Sequence, residues 1–228
     1  MPQFFDVVWC KAPIPSGHDM TTAQVYLRPG HFVAVMPSYD GRLQIGWVID
    51  KGTFGELRRH GAEYWIDALS QQVSPTLARH LQARRSEVSA PFLLNAICDR
   101  LLEWTRPGLL LLGDAAHPMS PIGGQGINVA FRDVLVAANH LVPLLRQEAE
   151  AESIDLATRA IQDERMPEIT LIQGHQQRQA QFILGRTLMA KLVLRLMPQI
   201  VWIASRLRMT SKRSRVFTKG ATVVRLIA

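Results

Sequence analysis

One stretch constrains the fold of this chain more than any other. Residues 109–133 read LLLLGDAAHPMSPIGGQGINVAFRD. The four leucines are typical of a strand that is buried on both faces. After the loop, apolar residues at helical spacing predict a helix from Gln125 to Leu144. We therefore expect a strand, a loop and a helix to meet at the carboxyl end of a sheet, which is where open α/β sheets bind ligands. The broad apolar face of the helix comprises Ile127, Ala130, Phe131, Val134, Ala138, Leu141 and Val142.

The loop in this stretch carries the groups of a binding site. The carboxylate of Asp114 accepts several hydrogen bonds, which suits the hydroxyls of a sugar or polyol. Glycines in the GGQG segment, residues 123–126, allow the backbone to approach a flat ligand without Cβ atoms in the way. Unpaired N–H groups at the helix start stabilise an anion, or a ring that becomes anionic. A polyol joined to a redox ring would use all three features. The alternative is that Asp114 is a turn residue in a plain loop.

The remainder of the sequence predicts an antiparallel sheet followed by helices. Asp40-Gly41 lies between two apolar runs and predicts a hairpin. Pro75 suits the first turn of a helix. The predicted fold class is α+β, with an antiparallel substrate-domain sheet, a single buried strand and a helical C-terminal region. Strands are predicted within 6–12, 21–29, 31–39 and 42–50, an extended segment at 86–98, and helices at 54–70, after 75, at 154–183 and at 188–207.

Composition argues against several classes of site and shows that the excess positive charge lies in one region. Cys10 and Cys98 belong to no C-x-x-C pair and the histidines to no metal-binding spacing, so neither a disulfide framework nor a metal site is expected. The net charge of +7 arises from residues 169–228, which hold 11 basic and no acidic residues, whereas the remaining 168 residues hold 15 basic and 19 acidic ones. No recognised nucleic-acid module accompanies the basic residues, so nucleic-acid binding is not expected.

The basic C-terminal tract leaves two interpretations open. Residues 192–215 combine apolar, aromatic and basic side chains, as interfacial membrane helices do. The favoured alternative is a helix that packs against the rest of the protein and is followed by a basic segment. The chain has neither a secretory leader pattern nor a long enough apolar run to span a membrane. We therefore expect a cytoplasmic protein, with peripheral membrane contact as the open alternative.

The motif GDAAHPMSPIGGQGINVAFRD, residues 113–133, resembles the second flavin motif of FAD-dependent aromatic hydroxylases and related monooxygenases of the para-hydroxybenzoate hydroxylase fold. The preceding strands and the following helix keep that family's order. The resemblance is continuous from about Asp6 to Leu145. It implies an FAD-dependent monooxygenase that uses NAD(P)H and oxygen to hydroxylate an organic, aromatic or lipid-like substrate. It also implies that the strands within 6–50 form the substrate-domain sheet.

The resemblance assigns roles to residues of the motif. Asp114 would bind the ribityl chain of FAD, and Pro121 would line the face of the isoalloxazine where oxygen reacts. Ile127 and Asn128 would present backbone N–H groups to the edge of the ring that becomes negative on reduction. No side chain is assigned a catalytic role, because the cofactor carries the redox chemistry. The full predicted cofactor set is Gly113, Asp114, Pro121, Gly123, Gly124, Gln125, Gly126, Ile127 and Asn128.

Members of this family begin with a G-x-G-x-x-G turn that holds the ADP half of FAD, and no such motif occurs here. We therefore expect the C-terminal portion of a monooxygenase, which is truncated, split or cut from a longer chain. Predicted segments are 1–105, the substrate-domain layer; 106–150, the second FAD motif; and 151–228, the helical basic region. A missing N-terminal half as a separate chain is an expected partner. The alternatives are a flavin-dependent reductase or dehydrogenase, and a non-catalytic remnant or partner-requiring subunit.

Other constellations are assigned structural roles. A Ser-His-Asp hydrolase is disfavoured, because the chain has no G-x-S-x-G motif. His117 is expected to cap or pack the turn after the strand. Arg132 and Asp133 are expected to be surface or packing charges of the helix, with a phosphate as an alternative partner of Arg132. Trp9 and Trp47 are expected in the sheet core rather than as a substrate platform.

Overall fold

A computed structural model describes residues 3–19, 21–28, 30–185 and 224–227. These residues form two compact units, of which one contains Gln3–Ala96 and the other Ile97–Gln179. We call them the N-terminal unit and the C-terminal unit. The predicted segment boundaries at residues 105 and 150 stay predictions. No helix among the described residues has both the length and the hydrophobicity needed to cross a membrane.

The N-terminal unit is built on a five-stranded antiparallel sheet, as the alternating apolar pattern predicts. Its strand order is β2-β3-β4-β1-β5. The predicted Asp40-Gly41 hairpin joins β3 to β4, where Ser38 N donates to Arg42 O over 2.8 Å and Gly41 has a φ of +71°. That positive φ is the reason for glycine at this turn. The strands are β1 Phe5–Ala12, β2 Gln24–Arg28, β3 His31–Pro37, β4 Leu43–Asp50 and β5 Phe92–Leu94.

Three helices cover one face of this sheet. The predicted continuous helix over 54–70 is wrong in one respect, because it is interrupted at Gly61, whose φ is +85°. Ser74 caps the third helix by accepting a hydrogen bond from Leu77 N, and Pro75 occupies its first turn as predicted. The helices are α1 Phe54–Arg59, α2 Gly61–Ser70 and α3 Pro75–Ala83.

The apolar core of the N-terminal unit lies between the sheet and these helices. Trp47 belongs to this core, as predicted. Trp9 alternates with the core residues Val8 and Cys10, and so lies on the opposite face of the sheet. Its indole covers Gly46 of the neighbouring strand, where an added Cβ atom would come within 2.8 Å of the ring. The helix-side core includes Val8, Cys10, Val33, Val35, Leu43, Ile45, Trp65, Ile66, Leu69, Leu77 and Leu81.

The C-terminal unit contains a short hairpin and two long helices. The hairpin pairs β6, Thr105–Arg106, with β7, Leu109–Leu110. The helices are α4, Gly126–Arg146, and α5, Ala151–Leu184. Both helices confirm the helical pattern seen in the sequence. The predicted helix at 188–207 lies outside the described residues.

The prediction that Leu109–Leu112 forms a strand buried on both faces is wrong in this structure. Only Leu109 and Leu110 are in a strand, and among the described residues that strand pairs with β6 alone. Leu109 is 49% exposed, and Leu110 is half-buried. A strand is buried on both faces only when further layers cover it, and one hairpin partner does not supply them.

The broad apolar face predicted for α4 is not the face that the structure buries. Ile127 is 73% exposed and Phe131 is 66% exposed. The buried residues of α4 are instead Val129, Asp133, Val136 and Ala137. The helix carries apolar residues on two faces, so its periodicity alone does not select one of them.

Candidate functional site

A tight turn follows β7 and begins the predicted binding loop. Gly113 has a φ of +58°, and a Cβ atom added there would lie 3.1 Å from Ala130 Cβ of α4. Its carbonyl accepts hydrogen bonds from Ala116 N at 3.0 Å and His117 N at 2.8 Å. Glycine is therefore needed here both for its backbone conformation and for the close approach of the helix.

This turn places Asp114 beside the start of α4. A Cβ atom on Gly126 would lie 3.9 Å from Asp114 Oδ1. Asp114 is exposed, and among the described residues no group donates a hydrogen bond to its carboxylate. Two features predicted separately, the acid and the helix start, are thus neighbours in the structure.

The glycine segment leaves the start of α4 open. Gly123 and Gly124 have φ values of +89° and +60°, and both are exposed. A Cβ atom on Gly124 would meet nothing within 4 Å. Gln125, the residue before α4, makes no side-chain capping bond to the helix. Exposed Ile127 and Asn128 follow in the first turn, so the uncapped N–H groups and the helix dipole are accessible to a ligand.

Glutamines of α5 hold the backbone of the binding loop. Gln176 Nε2 donates to Ser120 O over 3.1 Å, and its Oε1 accepts from Ser120 N over 3.2 Å. Gln173 Nε2 donates to Asp99 O and, over 3.3 Å, to Pro118 O. Buried peptide groups outside helices and sheets need such partners. The loop is therefore fixed by side chains from a distant helix.

A buried ionic cluster joins the turn, α4 and α5. Asp133 Oδ1 accepts from Arg165 Nε over 2.7 Å. Glu168 bonds Arg165 Nη1 and, over 2.9 Å, Arg132 Nη2. Asp133, Arg165 and Glu168 are all at least 98% buried. Two carboxylates and two guanidinium groups balance in charge, which is the condition for burying ions.

The same Asp133 carboxylate reaches the binding loop through its other oxygen. Oδ2 accepts from Gly113 N over 3.0 Å and lies 2.7 Å from His117 Nε2. The His117 ring packs against Trp104, with ring centroids 4.9 Å apart. Burial raises the pKa of Asp133, but hydrogen bonds from His117 and Arg165 outweigh that effect and hold its pKa below the usual value. Asp133 is therefore ionised.

The structure decides between two alternatives predicted for these charges and adds residues that the sequence did not reveal. Of the surface and packing roles expected for Asp133, the structure shows the packing role, because Asp133 is fully buried. His117 packs the turn, as expected, and Arg132 pairs with Glu168. Gln173 and Gln176 were missed, although their spacing of three residues places them on one face of a helix. No local pattern marks Arg165 as buried, because charged residues are usually exposed.

The residues of the loop fit the middle of a flavin cofactor. An unpaired carboxylate suits ribityl hydroxyls, and an open helix start suits a ring edge that gains negative charge. A family profile described as FAD binding domain matches residues 3–166. The chain belongs to the FAD binding domain family. Proteins similar in sequence are named as monooxygenases, so the coarse prediction of an FAD-dependent monooxygenase family is confirmed.

Curated relatives within this family are similar over part of their length. The 6-methylpretetramide 4-monooxygenase of Streptomyces rimosus is 31% identical over 147 residues, which covers 64% of this chain and 34% of the relative. The kynurenine 3-monooxygenase of Stenotrophomonas maltophilia is 39% identical over 88 residues, which covers 38% of this chain and 17% of the relative. The chain thus spans about a third or less of the length of these relatives.

Two solved structures are similar to this chain in fold. The probable FAD-dependent monooxygenase PqsL from Pseudomonas aeruginosa superposes with a TM-score of 0.65 at 21% identity, covering 84% of this chain and 51% of that one. A variant of HpxO from Klebsiella pneumoniae, complexed with FAD, gives a TM-score of 0.61 at 18% identity, covering 96% of this chain and 55% of that one. These similarities support the mixed fold of helices and antiparallel sheet.

Proposed function

We propose that this chain supplies the ribityl and ring-edge part of the FAD site in a monooxygenase that hydroxylates an organic, aromatic or lipid-like substrate with NAD(P)H and oxygen. The observation that supports this proposal is the placement of the free Asp114 carboxylate beside the uncapped start of α4. FAD, when bound, supplies the redox and oxygen chemistry. The substrate classes of the relatives are consistent with an aromatic substrate.

In the proposed mechanism, the residues of this chain bind and orient the cofactor. Asp114 accepts hydrogen bonds from ribityl hydroxyls, while the N–H groups of Gly126, Ile127 and Asn128 stabilise negative charge at the ring edge. Pro121 stiffens the loop, because its φ is restricted. Gly124 leaves open space where a side chain would obstruct a flat ring, and Gly123 adopts a φ of +89° that favours glycine. Gln125 donates to Gly123 O over 3.1 Å and so steadies the glycine segment from within. Gly113 shapes the turn that presents Asp114.

Cofactor binding is tested by adding FAD to the purified chain, removing the excess and measuring flavin absorbance per chain. If the chain retains flavin, Asp114→Ala is expected to weaken binding by about tenfold or more, because the ribityl hydroxyls lose their acceptor. Asp163→Ala, which removes an exposed carboxylate from α5, is the matched control and should leave the Kd unchanged. Equal effects of the two substitutions would contradict the role of Asp114.

The reaction type needs a separate measurement. A monooxygenase transfers one atom of labelled ¹⁸O₂ to its product, whereas a flavin-dependent reductase or dehydrogenase leaves the product unlabelled. NADH and NADPH are compared as reductants in the same assay. Unlabelled product with a flavin-loaded protein would favour the dehydrogenase alternative.

We also propose that residues outside these 228 complete the FAD site, on the same polypeptide or as a separate chain. The absence of a G-x-G-x-x-G motif supports this, as does the apolar surface of α4, where Ile127, Phe131 and Val134 are more than half exposed. Exposed apolar patches mark interaction sites. A dinucleotide-binding half that covers this face would both bury it and hold the ADP part of FAD.

Co-expression tests this second part of the proposal. The chain is purified with and without the polypeptide encoded just upstream, and retained flavin is measured in both preparations. Phe131→Ser is expected to abolish the gain in flavin, with the exposed Leu145→Ser at the other end of α4 as the control. Stoichiometric flavin in the chain alone would overturn the requirement for a partner. No flavin in either preparation would favour a non-catalytic remnant.

The basic C-terminal tract stays a separate proposal of peripheral membrane contact. Its arginines and lysines lie outside the described residues, so only their sequence supports it. Co-sedimentation with anionic vesicles is expected to fall when Arg206, Arg208, Lys212, Arg213 and Arg215 are neutralised. An unchanged co-sedimentation would leave the basic tract without this role.

A further inference from the structure

The geometry points to Asp133, acting with His117, as a positioning residue for the cofactor loop, an inference that rests on the proposed FAD site. Asp133 does not belong to the predicted cofactor set. Its Oδ2 atom binds both ends of the segment Gly113–His117, through the Gly113 amide at 3.0 Å and His117 Nε2 at 2.7 Å. Asp114 lies between these two attachment points. One buried carboxylate thus closes the turn that carries the predicted ribityl ligand.

The turn is also restrained by the preceding loop, where Leu101 N donates to Ala116 O over 2.8 Å, but among the described residues only Asp133 accepts from the Gly113 amide. Inside the turn, the Gly113 carbonyl accepts from Ala116 N and His117 N, which leaves the Gly113 amide to be satisfied from outside. Asp133 supplies that acceptor from α4, the same helix whose start lies beside Asp114. The Asp133 side chain therefore fixes the position of the Gly113–His117 turn relative to α4. A change in that bond would alter where Asp114 stands relative to Gly126.

The direction of each hydrogen bond makes the bracket specific for a carboxylate. An ionised Asp133 only accepts, so its two oxygens serve Gly113, His117 and Arg165 together. An asparagine has one oxygen and one NH₂ group. Whichever way it is turned, its NH₂ group faces a donor, either Arg165 or the pair formed by Gly113 and His117. Because Arg165 is charged and can only donate, we expect the amide oxygen of Asp133→Asn to stay on Arg165, so that the NH₂ group faces Gly113 N and the bracket is broken with almost no change in size.

His117 fixes the turn through one nitrogen only. Because Asp133 accepts, the proton of this hydrogen bond lies on Nε2, and within the part of the chain that the structure describes His117 Nδ1 has no hydrogen-bond partner. Glutamine places an amide group near the position of Nε2 and can donate to Asp133, whereas alanine cannot. The pair His117→Gln and His117→Ala therefore separates loss of the bond from loss of the residue.

The test measures the loop first without FAD. Amide hydrogen exchange and thermal unfolding are recorded for the wild type, Asp133→Asn, His117→Ala, His117→Gln and Glu168→Gln. Glu168→Gln is the control, since it disturbs the same buried cluster through Arg165 and Arg132. We expect Asp133→Asn and His117→Ala to lose protection at Gly113 and His117 by about tenfold beyond any global change. His117→Gln should restore protection, and Glu168→Gln should lower Tm without a selective effect on the turn.

The second arm measures FAD affinity by titration of the same variants. Asp133→Asn and His117→Ala are expected to raise the Kd about tenfold, and His117→Gln and Glu168→Gln to leave it near the wild-type value. The positioning role would be overturned if Asp133→Asn and Glu168→Gln lost protection to the same extent and throughout the C-terminal unit. If Asp133→Asn fails to fold, the comparison of His117→Ala with His117→Gln tests the positioning role instead. If the wild-type chain binds no FAD either alone or with the co-expressed upstream polypeptide while the exchange pattern holds, the proposed function fails and the bracket of the turn stands.

Discussion

The two units of this chain satisfy their buried backbone in different ways. In the N-terminal unit, ladder hydrogen bonds of five strands pair the peptide groups, and the space between sheet and helices is filled with apolar side chains. In the C-terminal unit, the irregular backbone over 99–120 is bound by side chains of α4 and α5. Its buried interior includes Asp133, Arg165 and Glu168.

The difference shows what a cofactor loop requires. A sheet strand uses its peptide groups in the ladder, so few remain for a ligand. A loop keeps some peptide groups free, but its other polar groups must find partners elsewhere. In this chain those partners are glutamines and ions, which can hold a backbone in place without a regular element. The N-terminal unit should therefore respond most to changes in volume, and the C-terminal unit to changes in polar partners.

The largest expected effect is the removal of Arg165. Arg165→Leu leaves Asp133 and Glu168 buried without their shared cation, which is expected to cost about 3–5 kcal/mol of unfolding free energy. The exposed Arg159 of the same helix provides the control, and Arg159→Leu should change stability by less than about 0.5 kcal/mol. Urea unfolding with probes in both units measures the effect. A similar small loss for both variants would contradict the view that buried charges organise this unit.

A volume change in the sheet is expected to have the next largest effect. Val35→Ala removes two methyl groups from a fully buried site and should cost roughly 2 kcal/mol. Val25→Ala makes the same change in the neighbouring strand, where the side chain is 52% exposed, and should cost far less. Denaturant midpoints of the two variants give the comparison. Equal losses would mean that strand propensity, and not burial, determines the stability of this sheet.

The third-largest expected loss of stability comes from shortening a polar side chain of α5. Gln176→Ala leaves the buried amide and carbonyl of Ser120 without their partner, at a cost of about 1–2 kcal/mol. Gln177→Ala, at the adjacent and half-buried position, is the matched control. Hydrogen exchange at Ser120 should rise selectively in the first variant. If only Tm falls and exchange at Ser120 is unchanged, the glutamine packs the helix rather than holding the loop.

The smallest expected effect is the acid sensitivity of a buried carboxylate in the N-terminal unit. Burial raises the pKa of Asp6, but hydrogen bonds from Lys51 and from the amides of Gly52 and Ala96 outweigh it, so the folded-state pKa lies below the usual value. The stabilisation is therefore complete above the unfolded-state pKa near 4 and is lost as the pH falls through that region. Thermal melts from pH 7 to pH 3 measure it. Asp6→Asn should flatten the acid side of the curve, and an unchanged slope would exclude this contribution.

Much of the N-terminal unit could be predicted because its signals are local. Runs of β-branched and aromatic residues predicted the strands, and Asp40-Gly41 predicted a hairpin between two of them. Ser74 and Pro75 likewise mark the start of α3. The interruption at Gly61 was missed, since the apolar spacing continues on both sides of it, and Trp9 was expected in the core but lies on the opposite face of the sheet.

The residues of the binding loop could be recognised in the sequence, but the side chains that hold the loop in place could not. Residues 113–128 already indicated an acid, a glycine segment and a helix start, because these features are contiguous. The support of these features depends on residues that are distant in the sequence. Gln173 and Gln176 lie more than 50 positions from the loop residues that they bind. Contacts of that separation leave no periodic pattern in a single sequence.

The sequence by itself determined the antiparallel sheet, the long helices and the flavin-like motif, since hydrophobic periodicity and turn chemistry act over a few residues. Tertiary structure alone decided which face of α4 is buried and that Asp133 is the hub of the C-terminal unit. The helix has two apolar faces of similar character, so burial follows the one whose carboxylate meets Arg165, 32 residues away. Burying an ion is favourable only when its counter-ion is in place, and that condition is met only in the folded chain.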